Sequence, residues 1–381
     1  MRFSADELES GAREATGLED LGSHYYREGL ERIVEALNTE ADLNETGKVI
    51  QHAAISNSLM QRLKIEDTYK QHPEIDDQEV EGPVFVIGLP RTGTTALSQL
   101  VGADPQFRSL RMWESQAPTP PPEAATQHRD PRIAQAQAGL DMLNNMFPLM
   151  RTLYNSEATA ATECQDLMGM SFRTVHFSGV VRVPRYLNWV MECDMHETYT
   201  YHRRVLKLLQ WHCPPRLWHL KTPVHMFSLD ALVAAYPDAK FMWSHRDPAK
   251  VMGSVCSLIR YVRSWSSDRD DPRGLGSEQL HCWAEGVRRA MDFRKRFGHE
   301  RFADVSFAEL QADPVNTLKN SYERLGLRFT EDTYRSVQRW ASDHRPGSRG
   351  THEYSLSDYG LTPEIVREHF AEYLANYDAT G

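Results

Sequence analysis

One short stretch constrains the fold of this chain more than any other. The sequence VFVIGLPRTGTTALSQL, at residues 84–100, begins with apolar residues and then reaches a Gly-Leu-Pro turn. An arginine, a glycine and two threonines follow before an apolar helical pattern begins. A strand that turns sharply into a helix directs backbone N–H groups and the helix N-terminus at one point, a geometry that binds phosphate-like anions. The stretch therefore predicts a strand–loop–helix unit of an α/β fold with an anion site at its loop.

The predicted loop carries side chains that suit an anion. Arg91 supplies a permanent positive charge with two parallel donors, and Thr94 and Thr95 supply hydroxyl donors. The spacing of Gly88 and Gly93 matches the G-x-x-x-x-G of a nucleotide-binding P-loop. Thr94, however, stands where that motif has its lysine. Because the lysine contacts the β- and γ-phosphates in ATP- and GTP-hydrolysing enzymes, the sequence argues against hydrolysis of a nucleoside triphosphate.

Further strands and helices alternate along the chain. After the strand at 84–87, the apolar patterns predict strands at 217–220, 240–244 and 302–307, with helices between them. This alternation favours an α/β fold with a parallel β-sheet flanked by helices. We expect the following division of the chain: a polar, helical N-terminal region at 1–82, an α/β core at 83–114 and 216–330, a mostly helical cap insertion at 115–215, and a C-terminal segment at 331–381.

Composition excludes several classes of protein. The net charge of −10 gives no general attraction to nucleic acid or to acidic membranes. Five cysteines, none in a C-x-x-C pair, indicate a reduced chain without a disulfide framework or a zinc site. The acidic N-terminus lacks a signal-peptide core, and no apolar run approaches the ~20 residues that span a bilayer. We therefore expect a cytoplasmic protein with no integral membrane segment and no nucleic-acid partner, whose oligomeric state stays open.

A second candidate anion site follows the expected strand at 240–244. Arg246 stands at the carboxyl end of that strand, where open α/β sheets bind their ligands. Asp247 and Pro248 suit the start of a helix, and Ser254 lies within its first two turns. Arg246 and Ser254 are thus in position to contact one phosphate. Each residue alone is more simply explained as a surface group, but two ordered strand–loop–helix units favour a binding role.

Together these motifs resemble those of the sulfotransferases that use 3′-phosphoadenosine 5′-phosphosulfate (PAPS). GLPRTGTT after a strand, then HLKTPVH, then HRDPAKVMGSV with its arginine and serine eight residues apart, is similar to the bacterial sulfotransferase-family branch. ATGLEDLG near the start and GTHEYSLSDYGL near the end extend the resemblance over nearly the whole chain. The resemblance implies a P-loop-type parallel sheet, a single sulfotransferase domain over 1–381, and PAPS as co-substrate without a metal.

The resemblance also implies roles for individual residues. The positions that match the family's grip on the 5′-phosphosulfate are Arg91, Thr92, Gly93, Thr94 and Thr95. Arg246 and Ser254 match the pair that holds the 3′-phosphate, and Arg349 and Gly350 lie where the family brings a late basic loop onto the cofactor. Arg91 departs from the lysine of the cytosolic aryl and steroid enzymes and agrees with the tyrosylprotein sulfotransferases.

The implied reaction is an in-line displacement, in which an acceptor hydroxyl, or less favourably an amine, attacks sulfur and the product PAP leaves. It requires alignment, neutralisation of charge on the leaving oxygen, and removal of the acceptor proton. Arg91 and Lys221, which follows the strand at 217–220, are the predicted charge clamps. Glu114 is favoured as the base because it resembles the glutamate that follows the loop in tyrosylprotein sulfotransferases. His225, in KTPVH, is the rival, since a histidine needs little tuning near neutral pH.

Two other functions stay open at this point. A nucleotide kinase or NTPase of the same broad fold would carry a lysine in place of Thr94 and a magnesium-binding aspartate after a strand. A catalytically silent PAP-binding protein would bind PAP without turnover, and the retained candidate catalytic groups disfavour it. The acceptor of a sulfotransferase is equally open: a small molecule, a lipid and a glycan all fit the sequence.

Overall fold

The computed structural model describes residues 2–153, 157–213, 217–344, 354–377 and 379. Its strands are β1 (Val84–Gly88), β2 (Phe107–Ser109), β3 (Leu217–Lys221), β4 (Lys240–His245) and β5 (Phe302–Ser306). They form one sheet in the order β2-β3-β1-β4-β5, and every pair in it is parallel. The predicted parallel α/β sheet is therefore confirmed.

The four strands expected from the sequence lie within one residue of their predicted bounds, and β2 is an addition. β2 has three residues and pairs only with β3 at the edge of the sheet. A strand this short contains too few residues to show an alternating or continuous apolar pattern, so the sequence does not reveal it.

The central strand β1 is buried along its whole length, as parallel strands covered by helices on both faces are. Its residues alternate between two cores: Val84 and Val86 pack on one face of the sheet, and Phe85 and Ile87 on the other. Because β1 pairs in parallel with both β3 and β4, the carboxyl ends of these three strands meet at one edge. This edge carries Gly88 and the residues that follow β3 and β4.

The helices before the sheet, and those between β1 and β3, supply much of the larger core. The first group consists of α1 (Ala5–Thr16), α2 (Tyr25–Thr39), α3 (Glu45–Gln71) and a 3₁₀ helix at Pro73–Asp77. The second consists of α4 (Thr94–Gly102), α5 (Met112–Gln116), α6 (Pro131–Met146), α7 (Met150–Leu153), α8 (Gln165–Gly169), α9 (His176–Val180), α10 (Pro184–Glu192) and α11 (His196–Gln210). α4 packs instead on the face that carries Val84 and Val86, through Leu97 and Leu100.

The remaining helices complete both faces of the sheet. They are a 3₁₀ helix at Pro223–Phe227, α12 (Leu229–Ala235), α13 (Pro248–Arg263), α14 (Pro272–Phe297), α15 (Phe307–Ala312), α16 (Pro314–Arg324), α17 (Glu331–Asp343), a 3₁₀ helix at Leu356–Tyr359, α18 (Pro363–His369) and α19 (Ala371–Asn376). Asp247 caps α13 by accepting from the backbone N–H of Ala249, and Pro248 occupies its first turn, as the sequence predicts. Within the described ranges, no helix combines the length and apolar character that crossing a bilayer requires.

Candidate active site

The loop between β1 and α4 has a backbone that few residues tolerate. Arg91 and Gly93 both adopt left-handed conformations, with φ of +68° and +88°. A side chain at Gly93 would also place its Cβ 2.8 Å from the ring of Phe307. The turn is therefore tight enough to leave the start of α4 open towards the carboxyl edge of the sheet, as an anion-binding loop requires.

Contacts with β4 hold this loop in place. The Thr92 hydroxyl donates to the carbonyl of Leu89 at 2.7 Å and lies 2.6 Å from the Ser244 hydroxyl. Gly88 lies so close to the same strand that a Cβ there would be 2.4 Å from Ser244 Oγ. A loop fixed in this way loses little conformational entropy when a ligand binds, because its N–H groups are already oriented.

The two predicted anion sites meet at Arg91. Its Nε donates to Ser254 Oγ at 3.1 Å, and its backbone carbonyl accepts from Nη1 of Arg246 at 3.0 Å. The Arg246 guanidinium lies 4.1 Å from the centre of the Phe307 ring, with which it makes a cation–π contact. Burial lowers the pKa of Arg246, but an arginine remains charged at neutral pH. The structure thus brings Arg91, Arg246 and Ser254 into one positively charged cluster.

Lys221 reaches the same edge from the end of β3. Its side chain is only 2% exposed, and its Nζ donates to Thr95 Oγ1 at 3.4 Å, at the first turn of α4. The closest partner of Nζ is the carboxylate of Glu163, whose Oε1 accepts at 2.7 Å. A buried ammonium needs such a counter-charge to stay ionised. Lys221 therefore links the anion-binding loop to an acidic residue that the sequence analysis did not single out.

Glu163 is held at both of its carboxylate oxygens. Oε1 accepts from Lys221, while Oε2 accepts from the Thr222 hydroxyl at 2.9 Å and from the side-chain amide of Gln165. Burial opposes ionisation of Glu163, but the charge of Lys221 and these hydrogen bonds outweigh it, so its pKa lies below the usual range. Glu163 is thus an ionised acid beside the anion-binding loop.

Tertiary pairing, rather than a sequence motif, places Glu163. The chain before it runs antiparallel to the segment after β2: the N–H of Thr162 donates to the carbonyl of Leu110 at 2.8 Å, and that of Met112 to the carbonyl of Ala160 at 3.2 Å. Beyond it, the N–H of Cys164 donates to the carbonyl of Lys221 at 3.0 Å. The segment therefore bridges the carboxyl ends of β2 and β3.

A cleft of about 740 Å³ lies between the C-terminal half of α4, β2 and the segment at 157–161. One wall is α4, where Gln99 lines the cleft and Thr95 lies one turn earlier on the same face. Another wall is the paired segment, where Ala161 lines the cleft and Glu163 follows on the same side of an extended chain. Trp340, near the end of α17, lines the far end. The cleft thus ends one helical turn from Thr95 and two residues from Glu163, and neither Lys221 nor Glu163 lines it.

A family model described as "Sulfotransferase family" matches residues 83–331, which contain the loop, the Lys221–Glu163 pair and the Arg246–Ser254 pair. The chain belongs to the sulfotransferase family.

Solved structures agree with this sulfotransferase over nearly its whole length. Sulfotransferase STF1 from Mycobacterium tuberculosis H37Rv is 34% identical, with a TM-score of 0.88 over 97% of this chain and 99% of that one. Sulfotransferase STF9 from Mycobacterium avium is 33% identical, with a TM-score of 0.90 over 98% of this chain and 97% of that one. A further relative, the omega-hydroxy-beta-dihydromenaquinone-9 sulfotransferase Stf3 of Mycobacterium bovis, is 24% identical over 77% of this chain and 74% of its own length.

Glu114 is a buried residue with structural contacts, whereas the sequence suggests a base that contacts the acceptor. Its side chain is completely buried; one oxygen accepts from Arg108 Nη2 at 2.8 Å, and the other accepts from the backbone N–H of Arg111 at 3.1 Å. The second bond closes the N-terminus of α5. Both oxygens thus have structural partners, and no part of the side chain is exposed to an incoming acceptor.

His225 is also remote from solvent. It lies in the 3₁₀ helix after β3, fully buried, with Nδ1 2.9 Å from the Tyr199 hydroxyl and its ring against the edge of Phe85. Burial, together with the neighbouring His202, lowers its pKa well below the usual value. The structure therefore places this histidine, uncharged, in the larger core, on the face of the sheet opposite α4.

The remaining predicted positions are Arg349 and Gly350, which lie outside the described residues. Tyr354, a few residues later, packs on the first turns of α13, where a Cβ at Gly253 would lie 2.7 Å from its ring. The chain thus returns beside Ser254 soon after these two positions. Among the residues that the structure describes, no group of three or more histidine, cysteine or acidic side chains is arranged to bind a metal ion.

Proposed function

We propose that this sulfotransferase moves the sulfuryl group of PAPS to the hydroxyl of a small-molecule, lipid or glycan acceptor and releases PAP. The observation that carries the proposal is the joining of two anion sites through Arg91, which contacts Ser254 by its side chain and Arg246 by its carbonyl. Two anion sites on adjacent strand–loop–helix units fit a donor that carries one phosphate on each side of its ribose.

In this proposal the donor lies across the carboxyl ends of β1 and β4. The loop Arg91–Thr95 and the N-terminus of α4 bind the 5′-phosphosulfate, and Arg246 and Ser254 bind the 3′-phosphate. Side-chain cations, Arg91 and Lys221, neutralise the charge that develops on the leaving oxygen. Arg91 is part of the loop and Lys221 reaches it from the end of β3, so the two cations come from different elements of the fold.

For the acceptor proton we propose Glu163 in place of Glu114 and His225. Glu163 is ionised, is 18% exposed, and pairs with Lys221, which also contacts Thr95 at the first turn of α4. Glu114 and His225 are fully buried; both oxygens of Glu114 and Nδ1 of His225 take part in structural hydrogen bonds. A general base must come within hydrogen-bonding distance of the proton that it removes, and of the three residues only Glu163 has a surface for this.

We propose that the acceptor approaches Glu163 from the cleft between α4 and the segment at 157–161, which ends two residues before this glutamate. The name of the Mycobacterium bovis relative describes a lipid alcohol, omega-hydroxy-beta-dihydromenaquinone-9, as its acceptor. That relative supports a hydroxyl as the accepting group. All five cysteines are unpaired, which supports a reducing compartment such as the cytoplasm.

Calorimetry with PAP, ADP and ATP-Mg²⁺ tests the donor assignment. We expect PAP to bind without added metal and ADP to bind much more weakly, because ADP lacks the 3′-phosphate that Arg246 and Ser254 would contact. A preference for ATP-Mg²⁺ would favour a kinase-like function instead. PAP binding without any transfer from PAPS across a panel of phenols, polyprenols and saccharides would favour a silent PAP-binding protein.

A further inference from the structure

The contacts of Lys221 suggest a property of the reaction that follows from the proposed function and goes beyond it. The Lys221 ammonium lies between the carboxylate of Glu163, at 2.7 Å, and the hydroxyl of Thr95 in the first turn of α4, at 3.4 Å. An ammonium has three donors, and these two contacts use two of them. The third donor and the longer of the two bonds are available to an anion that enters the loop.

The two oxygens of Glu163 are held unequally. Oε2 accepts from Thr222, which follows β3, and from Gln165 at the start of α8. Oε1 accepts from Lys221 alone among the hydrogen bonds described for it. If the ammonium moves towards an anion in the loop, Oε2 stays fixed and Oε1 loses its partner. The carboxylate would then keep its position while one oxygen becomes free.

We propose that binding of PAPS draws Lys221 from Glu163 to the phosphosulfate and so releases Oε1 to accept the proton of the acceptor hydroxyl. The side chain of Glu163 is 18% exposed and that of Lys221 only 2%, so the carboxylate is the member of the pair that faces an acceptor. Donor binding thereby activates the base, and a site without donor holds the base in an ion pair.

The step balances without a further reactant. The acceptor O–H bond breaks and its proton goes to Glu163 Oε1, while the acceptor oxygen forms a bond to sulfur. The bond between sulfur and the bridging oxygen breaks, and its electron pair stays with the 5′-phosphate of PAP. Lys221 and Arg91 balance the negative charge on that oxygen, and Lys221 can return to Glu163 once the protonated carboxyl has given its proton to solvent.

The surroundings of Glu163 leave Lys221 as its principal electrostatic partner. Lys221 comes from β3 and is the cation whose charge and hydrogen bond favour the ionised form. Cys164, the next residue, is buried, and burial raises the pKa of its thiol to about 12, so it stays neutral. α4 contributes the uncharged Thr95. Loss of the Lys221 bond should therefore raise the pKa of Glu163, because burial then acts without its main opponent.

Proton uptake on donor binding measures this release. PAPS would be titrated without acceptor at about pH 5, near the ordinary pKa of a glutamate, in two buffers of different ionisation enthalpy. The same titration of Glu163→Gln cancels protons that come from the ligand, since only Glu163 differs. We expect the wild-type protein to take up more protons per PAPS than the variant. Equal uptake in the two proteins would overturn the proposal.

Two variants separate a base from a mere holder of Lys221. Glu163→Gln keeps an oxygen that accepts from Lys221, so PAPS affinity should persist while transfer falls on the order of 10²–10⁴-fold. Full transfer by this variant, with normal thermal unfolding, would show that Glu163 only positions Lys221. Thr222→Val removes a bond to Oε2 and should move the acid limb of the kcat profile to higher pH; an unmoved limb would also count against the proposal. Failure of the wild-type protein to bind PAPS would instead reject the proposed function itself.

Discussion

Two buried residues, one at the end of β3 and one in the 3₁₀ helix that follows it, have contrasting surroundings. Lys221 lies towards α4 with a carboxylate 2.7 Å away, whereas His225, four residues later, lies on the other face of the sheet beside a phenol and a phenylalanine ring. Burial raises the free energy of a charge, and only a counter-charge or hydrogen bonds to the ionised form offset it. Lys221 has such a partner, and His225 has a pKa far below its usual value.

The difference indicates what each residue contributes. A buried ion pair seldom adds to stability in comparison with well-packed apolar side chains, so its presence at the carboxyl edge of a parallel sheet suggests a chemical purpose. A neutral histidine among aromatic rings fills space and satisfies a hydroxyl. We therefore expect substitutions of Lys221 to affect transfer, and substitutions of His225 to affect folding.

The largest effect should come from Lys221→Ala. Turnover should fall on the order of 10²-fold or more through loss of charge stabilisation. The unpaired Glu163 should also lower the free energy of unfolding by up to about 3 kcal/mol, less than for a fully enclosed pair because the carboxylate reaches solvent. The double variant Lys221→Met, Glu163→Gln should recover stability without recovering turnover. Recovery of turnover there would show that the pair has only a structural role.

Arg91→Ala should have a comparable effect on turnover, on the order of 10²-fold, but a smaller effect on folding. Arg91 is partly exposed and its guanidinium reaches Ser254 across the site rather than a buried carboxylate. Arg91→Lys is the matched control: it keeps a charge and loses the planar fork, so it should retain part of the activity. Single-turnover transfer from PAPS measures both, and an unimpaired alanine variant would remove Arg91 from the charge clamp.

Arg246→Ala should act mainly on donor affinity, with a smaller effect on turnover through loss of the hydrogen bond to the Arg91 carbonyl. A hydrogen bond to a charged group contributes about 1.5–3 kcal/mol, so PAP should bind roughly 10- to 100-fold more weakly. ADP provides the control within the same experiment, because it lacks the 3′-phosphate and should lose much less. Calorimetry that finds PAP affinity unchanged would contradict the 3′-phosphate assignment.

Acid should destabilise the protein through its neutral core histidines. Burial lowers the pKa of His202 and of His219 to about 3, below the 6.5 of an exposed histidine. The unfolded chain therefore binds more protons between pH 6.5 and about 3, and stability that is present above pH 6.5 falls as the pH falls. His202→Gln should reduce the slope of unfolding free energy against pH by up to about 1.4 kcal/mol per pH unit. Equal slopes in urea titrations would show that this histidine is charged when folded.

The smallest effect should come from His225→Phe. The substitution removes the hydrogen bond with Tyr199, which should cost about 1 kcal/mol of stability. Transfer per folded molecule should persist, because the histidine contacts the core and not the cleft. A loss of transfer that exceeds the loss of folded protein would restore His225 as the base that the sequence also allows.

The convergence of Arg91 and Arg246 could be predicted because local sequence determines it. Arg246 follows β4 directly and precedes α13, whose start Asp247 and Pro248 mark; Arg91 lies three residues after β1 and shortly before α4. In such a unit, a residue that follows the strand within a few positions lies at the carboxyl edge of the sheet. The presence of two such units in order adds specificity that a single motif lacks. The fold class follows from the alternation of strands and helices along the chain.

The position of Glu163 beside Lys221 could not be predicted in this way. Glu163 lies in an irregular segment, and its position depends on pairing with Leu110 and with Lys221, which are far from it in the sequence. No periodicity or spacing in ATECQD distinguishes this acid from the many others in the chain. Glu114 shows the reverse: its spacing from the loop suggests a base, but Arg108 and the start of α5 use both of its oxygens.

The hydrogen bond from Arg246 to the carbonyl of Arg91 gives one guanidinium two tasks. It would bind the 3′-phosphate of the nucleotide. It also fixes the backbone that presents Arg91 to the sulfuryl group. An analogue without the 3′-phosphate would leave Arg246 bonded to the Arg91 carbonyl, but the nucleotide would not be held by the same guanidinium and would be less well aligned with Arg91. Discrimination between nucleotides should thus appear in the rate of sulfuryl transfer as well as in binding, because one side chain would contact the 3′-phosphate and also holds the backbone of Arg91.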